Sequence, residues 1–159
     1  MGCQTQAQIS TYFSPDDNTQ EIFLDFIRKT KNHLRIAIYS FDLKNLTDDL
    51  IQLHQSGVDV ALICDHSQAQ ESYERTEIDK LRAANIPLVE GTSQKHKIMH
   101  HKFAVRDQID VESGSWNYTY SASDESNYFD IITSPERAKL FLSKWQEIWD
   151  WITKNEPSY

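Results

Sequence analysis

Residues 34–64 read LRIAIYSFDLKNLTDDLIQLHQSGVDVALIC, and this stretch decides the fold. Its first part alternates: Ile36, Ile38 and Ser40 point one way, and Arg35, Ala37 and Tyr39 the other, as in a strand. Leu46, Leu50 and Leu53 then recur at helical spacing, and Gly57 marks the helix end. Residues 58–64 form a nearly continuous apolar run, the signature of a strand covered on both faces. Strand, helix and strand in this order imply a right-handed crossover between parallel neighbours.

Working outward, Asp16-Asp17-Asn18 offers N-caps for a helix over 19–32, with Ile22, Phe23, Phe26 and Ile27 on one face. On the other side, 67–75 is polar and reads as a loop. A helix over 77–85 and a short strand over 86–89 follow. Residues 91–97 have turn composition; 99–105 and 111–114 read as a strand pair, and a further strand lies near 128–133. Ser134-Pro135-Glu136 opens a last helix with Ala138, Phe141, Trp145, Ile148 and Ile152 on one stripe. The expected fold is α/β: one domain over 1–159, with a mixed, largely parallel sheet flanked by helices on both faces.

Composition narrows the function. With 159 residues, 39% hydrophobic content and four Trp, the chain can bury a core. It holds no apolar run of the ~20 residues that a spanning helix needs, so no membrane anchor is expected. Met1-Gly2-Cys3 has the start of a myristoylation signal, but Gln6 stands where that signal wants Ser or Thr. Cys3 and Cys64 are far apart, and Cys64 reads as a buried thiol; a reducing, cytoplasmic setting is expected. A net charge of −8 disfavours a broad nucleic-acid surface while leaving room for a local basic cleft.

Residues 100–117 carry the chemistry. They contain His100, Lys102, Asp107, Gly114, Ser115 and Asn117 in the pattern H-x-K-x4-D-x6-G-S-x-N. A neutral imidazole can attack phosphorus, and a nearby cation can stabilise the equatorial oxygens. In a strand His100 and Lys102 share a face, while His101 points away. Ser115 and Asn117 can donate hydrogen bonds to phosphate oxygens, and Asp107 can fix local backbone or pair with a cation. Lys95 and Lys97, just upstream, are candidate contacts to a nucleic-acid backbone. Tyr118 and Tyr120 read as core or interface, and Trp145 and Trp149 as core. No C-x2-C or similar spacing supports a metal site.

This pattern resembles the HKD motif of the phospholipase D superfamily, and nearly the whole chain resembles its bacterial Nuc-type endonucleases. Tyr12-Phe13-Ser14-Pro15, Tyr39-Ser40-Phe41, Asp65, Glu112–Ser115 and Trp145–Trp149 support the likeness. The resemblance implies a metal-independent, cofactor-free phosphodiesterase in which His100 becomes a phosphohistidine and a second HKD histidine serves as acid and then base. Only one motif is present, so it also implies a homodimer with one shared site. Relatives often place a Glu after the G-S-x-N turn to orient the histidine. Here Asn127 falls nearest that position, and Glu125 is the candidate orienting acid. The implied substrate is nucleic acid, DNA before RNA. The competing readings are a phosphatidyl hydrolase or transferase and a non-catalytic nucleic-acid-binding module.

Overall fold

The structure is a computed structural model that describes residues 6–159; Met1, Gly2 and Cys3, and with them the myristoylation reading, lie outside the described residues. In chain order the elements are β1 (Gln8–Ser14), α1 (Thr19–Arg28), β2 (His33–Ile38), α2 (Lys44–Gln55), β3 (Asp59–Asp65), α3 (His66–Ala69), α4 (Ser72–Ala83), β4 (Leu88–Gly91), β5 (Lys102–Arg106), β6 (Asp110–Gly114), β7 (Asn127–Thr133) and α5 (Pro135–Asn155). The strands form one sheet in the order β1-β7-β6-β5-β2-β3-β4.

The sheet is mixed, as expected, but its balance differs from the expectation. Pairing is parallel between β2, β3 and β4, where helical crossovers intervene. It is antiparallel at β2–β5, β5–β6, β6–β7 and β1–β7. The reason is local: β5 and β6 are joined by a tight turn that can only reverse the chain. Asp107 and Gln108 take positive φ values of 53° and 60° in that turn, a two-residue reversal suited to the twist of a hairpin.

Strand alternation builds two cores. Leu34, Ile36, Ile38, Val60, Leu62 and Cys64 face α1, α2 and α4, together with Trp116, Tyr118 and Phe129. Ala37, Ala61, Ile63, Phe103, Val105 and Val111 face α5. The whole predicted stripe of α5 packs there, and Trp145 Nε1 donates to the Ile36 carbonyl at 2.8 Å. Ser134 caps this helix by accepting from the Arg137 N–H at 3.2 Å.

Three local readings change. Residues 67–75 are not a loop, because α3 and the first turn of α4 occupy them. Asn18 does not cap α1 with its side chain; the Asp17 carboxylate instead accepts the Phe13 N–H at 2.8 Å. The edge strand β1 was not expected, because its residues are mostly exposed and polar.

Candidate active site

Because neighbouring strands run as they do, the C-terminal ends of β2, β3 and β6 meet the N-terminal ends of β5 and β7 along one edge of the sheet. The Tyr39 N–H donates to the His101 carbonyl at 2.9 Å, and the Tyr118 N–H donates to the Ser40 carbonyl at 3.2 Å. The segment carrying His100 and the turn carrying Asn117 are thus both tied to the end of β2.

His100 and Lys102 come together as their spacing predicts. Lys102 Nζ lies 3.2 Å from His100 Nε2 and donates to the His100 carbonyl at 3.1 Å. Loss of solvent around the ring lowers the His100 pKa below the usual imidazole value; the Lys102 ammonium adds to this, and Asp65 opposes it. Burial also lowers the Lys102 pKa. Both shifts favour the uncharged forms, and Nε2 is the ring atom that faces the ammonium. His101 turns to the α5 side, with its ring centroid 5.7 Å from that of Phe103.

Gly114 brings the next group in. A Cβ there would lie 2.3 Å from the Tyr128 carbonyl oxygen, so only glycine lets β6 close on β7. Ser115 follows, and its Oγ donates to Asn127 Oδ1 at 3.0 Å and accepts from the Tyr128 N–H at 3.2 Å. Asn117 lies in the chain between Trp116 and Tyr118, whose side chains are buried, and its own Oδ1 is buried and unpartnered. Beneath it, the fully buried Glu112 accepts a hydrogen bond from the Tyr118 hydroxyl.

Two expected site residues stand elsewhere. Asp107 lies in the turn at the far end of β5, about 16 Å along the strand from Lys102 at ~3.3 Å per residue. Its carboxylate accepts the backbone N–H groups of Lys31 (3.0 Å), Asn32 (2.7 Å) and His33 (3.0 Å). Burial works to raise its pKa, but these donors outweigh it and hold the pKa below the usual value. It fixes backbone, one of its two expected roles, and does so away from His100. Glu125 is exposed and its carboxylate contacts Asn127 Nδ2 at 3.2 Å, not His100. The buried Ser14 hydroxyl organises that loop, donating to the Glu125 carbonyl at 2.7 Å and accepting from the Asn127 N–H at 3.2 Å.

Lys95 and Lys97 are exposed on the β4–β5 connection. Lys95 lines a groove of about 270 Å³ with His100, His101, Ile98, Ile148 and Trp151. Tyr118 is core as expected, whereas Tyr120 is a surface residue whose hydroxyl accepts the Lys44 N–H at 3.3 Å. Sequence reading did not assign roles to Tyr39, whose ring borders His100, or to Gln68, which contacts the Tyr39 hydroxyl; they belong to other segments, and only the fold unites them. No helix among the described residues is long and apolar enough to cross a membrane.

The fold and this sheet-edge arrangement are those of a phospholipase D-like domain. The family model described as "Cardiolipin synthase, PLD-like domain" matches residues 23–149, and the chain belongs to that family. It is 29% identical to the mitochondrial cardiolipin hydrolase of Chlamydomonas reinhardtii over 150 residues, which is 94% of this chain and 64% of that protein. It is 26% identical to the phospholipase D of Rickettsia prowazekii, covering 89% of this chain and 67% of that one. The chain spans less than two thirds of the length of several cardiolipin hydrolases that it matches. Among solved structures it superposes on Nuc from Salmonella typhimurium, a phospholipase D family member, with a TM-score of 0.84. That match has 26% identity over 91% of this chain and 95% of that one. NucT from Helicobacter pylori shares the fold at a TM-score of 0.82 and 19% identity, over 91% and 97% of the two chains.

Proposed function

We propose that this protein is a phosphodiesterase that cleaves nucleic acid, DNA before RNA, through a covalent phosphohistidine at His100 and without a metal. The observation that carries this reading is the placement of His100 Nε2 3.2 Å from Lys102 Nζ. A phosphodiester drawn to the ammonium meets a nucleophilic lone pair, while Ser115 and Asn117 supply further donors. Lys95 and Lys97 extend the cationic rim along a strand backbone.

The Nε2 lone pair forms a P–N bond as the P–O bond to one nucleoside breaks. The departing oxygen takes a proton from a second imidazolium. That imidazole, now neutral, takes a proton from water, whose oxygen attacks phosphorus and breaks the P–N bond. The chain has one such histidine, so the second is His100 of another copy, and the active species is a two-fold dimer. Exposed Phe13 and Tyr128, with ring centroids 6.4 Å apart, adjoin Ser115 and give that copy apolar surface to cover. The likeness to Nuc over 95% of that chain accords with the resemblance to Nuc-type endonucleases on which the choice of nucleic acid rests. The domain extent of 1–159 and a cytoplasmic setting belong to the same proposal.

A phosphatidyl hydrolase or transferase is the second reading. It is favoured by the groove of Ile98, Ile148 and Trp151 beside His100 and by relatives named cardiolipin hydrolase. The deciding experiment incubates wild type and His100→Ala with labelled DNA, RNA and cardiolipin vesicles in EDTA, with light scattering on the same samples. DNA cleavage by a wild-type dimer and none by the variant is expected. Cleavage of cardiolipin alone selects the second reading. Tight nucleic-acid binding with no turnover of anything identifies a binding module and refutes both.

A further inference from the structure

His100 needs its ring held if Nε2 is to meet phosphorus in line, and the acid expected to hold it is not in place. Glu125 is engaged with Asn127, and Asn127 with Ser115. Among the described residues the only hydrogen-bonding partner of the His100 ring is Lys102. A ring on an exposed segment with one contact rotates freely unless something walls it in.

That wall is the side chain of Tyr39. Its ring meets the His100 ring edge-on, with centroids 4.6 Å apart and planes at 63°. Lys102 Nζ lies 5.2 Å from the centroid of the same ring. Tyr39 is itself held at its far end, where its hydroxyl accepts from Gln68 Nε2 at 3.1 Å. Gln68 is fixed in turn, because its N–H donates to Asp65 Oδ2 at 3.1 Å as part of the cap of α3. The other oxygen of the fully buried Asp65 accepts the N–H of Met99, the residue before His100, at 2.8 Å. The contacts close a ring: Asp65 to Met99, along the chain to His100, across to Tyr39, to Gln68 and back to Asp65. One buried carboxylate thus fixes both the backbone that carries the imidazole and the side chain that limits its rotation.

We infer that Tyr39, held by Gln68 and Asp65, is the positioning residue that orients His100 for attack, in the role that an acid near position 127 would otherwise fill. This rests on the phosphodiesterase reading for its purpose, but the positioning itself is measurable without any substrate.

The experiment uses the intact protein with Tyr39→Leu, Tyr39→Phe, Gln68→Leu and the Tyr39→Phe/Gln68→Leu pair. In NMR spectra, Tyr39→Leu removes the ring-current shift from the His100 ring carbons and protons, while the amide of Met99 stays in place and reports an intact fold. Tyr39→Phe retains most of that shift. In turnover, Tyr39→Leu lowers kcat roughly tenfold, the size of one lost aromatic contact, with KM changed less than about twofold. Tyr39→Phe and Gln68→Leu each cost a similar smaller factor, and the pair costs no more than either alone, because both remove the same hydrogen bond. Unmoved His100 resonances in Tyr39→Leu overturn the inference, whatever the activity. So does a loss confined to KM, which would place Tyr39 in substrate binding through Lys102. If wild type cleaves none of the substrates, the proposed function fails, and the His100 resonances still decide the positioning role.

Discussion

Glu112 offers the sharpest test of the physics beneath the site. It is fully buried in β6, with Oε2 accepting from the Tyr118 hydroxyl and Oε1 without a partner. Burial pushes its pKa from 4.5 up to about 8, against the opposing pull of the Tyr118 hydrogen bond. The folded protein therefore keeps a proton there that the unfolded chain releases near pH 4.5. Below that pH both states are protonated, and the group adds no pH dependence. From pH 4.5 to about 8 stability falls as pH rises, by up to ~1.4 kcal/mol per pH unit, and above 8 the loss is complete. The span gives about 5 kcal/mol as a ceiling, which relaxation around the ionised carboxylate reduces. Glu112→Gln keeps the shape and an acceptor for Tyr118 but cannot ionise. At pH 5 it is expected within ~1 kcal/mol of wild type, the cost of an amide N–H2 lacking a partner. At pH 8 it should be the more stable protein by about 2–4 kcal/mol. Urea denaturation at equal protein concentration from pH 5 to 8 measures both curves. Parallel curves for the two proteins would show that Glu112 is ionised throughout and refute the reasoning.

Gly114→Ala places its Cβ 2.3 Å from the Tyr128 carbonyl oxygen and 2.7 Å from Phe129 Cα, so β6 and β7 must part. A loss of about 3 kcal/mol is expected, read by thermal melting, with faster amide exchange at Tyr128 and Phe129; unchanged exchange there contradicts the close approach. Asp107→Ala leaves the N–H groups of Lys31, Asn32 and His33 without their acceptor and puts Ala at a φ of 53°. It should cost about 2–3 kcal/mol at pH 7, and less as the pH falls through the depressed pKa of the wild-type carboxylate. Activity per folded molecule should stay within about twofold of wild type; a collapse of kcat in a folded variant would place Asp107 in the chemistry.

The sequence conveyed the parallel half of the sheet well, because residues 34–64 alternate apolar and helical patterns cleanly. It conveyed the hairpin side less well. In β1 the burial pattern is exposed almost throughout, and what makes it a strand is pairing with β7, invisible in its own composition. The helix expected over 77–85 is α4, but its first turns were missed for a related reason: its inward face includes Glu74 and Glu77 beside only Ile78 and Leu81, so polar residues occupy half of what should read as an apolar stripe. At the site, His100 and Lys102 were legible because two residues in extended chain share a face. Asp107 was legible as important but not as distant, since a motif does not say how far a strand carries its last member. Tyr39 and Gln68 could not be found, because Tyr39 reaches His100, and Gln68 reaches Tyr39, only through the crossovers that set β2 between β3 and β5.

The buried acids bear on the local charge at the candidate site of so acidic a chain. Two buried carboxyls lie beside the segments that build the site: Glu74 accepts the Phe41 N–H at 3.1 Å, and Glu112 holds Tyr118 next to Asn117. Ionised, they would set negative charge behind Lys102 and His100 in a low-dielectric interior, where opposing charges are least screened. Burial instead raises both to about 8, so near neutral pH each keeps its proton. The interior then contributes hydrogen-bonding groups to the site without contributing their charge. The other buried acids at this edge are matched by donors: Asp65 accepts from Ser67, Gln68 and Met99, and Glu90 accepts from Gln70 and Arg75 and pairs with Arg82. The excess of acids over bases in the chain is therefore compatible with a locally cationic sheet edge. Protons on Glu74 and Glu112 are part of what keeps it so.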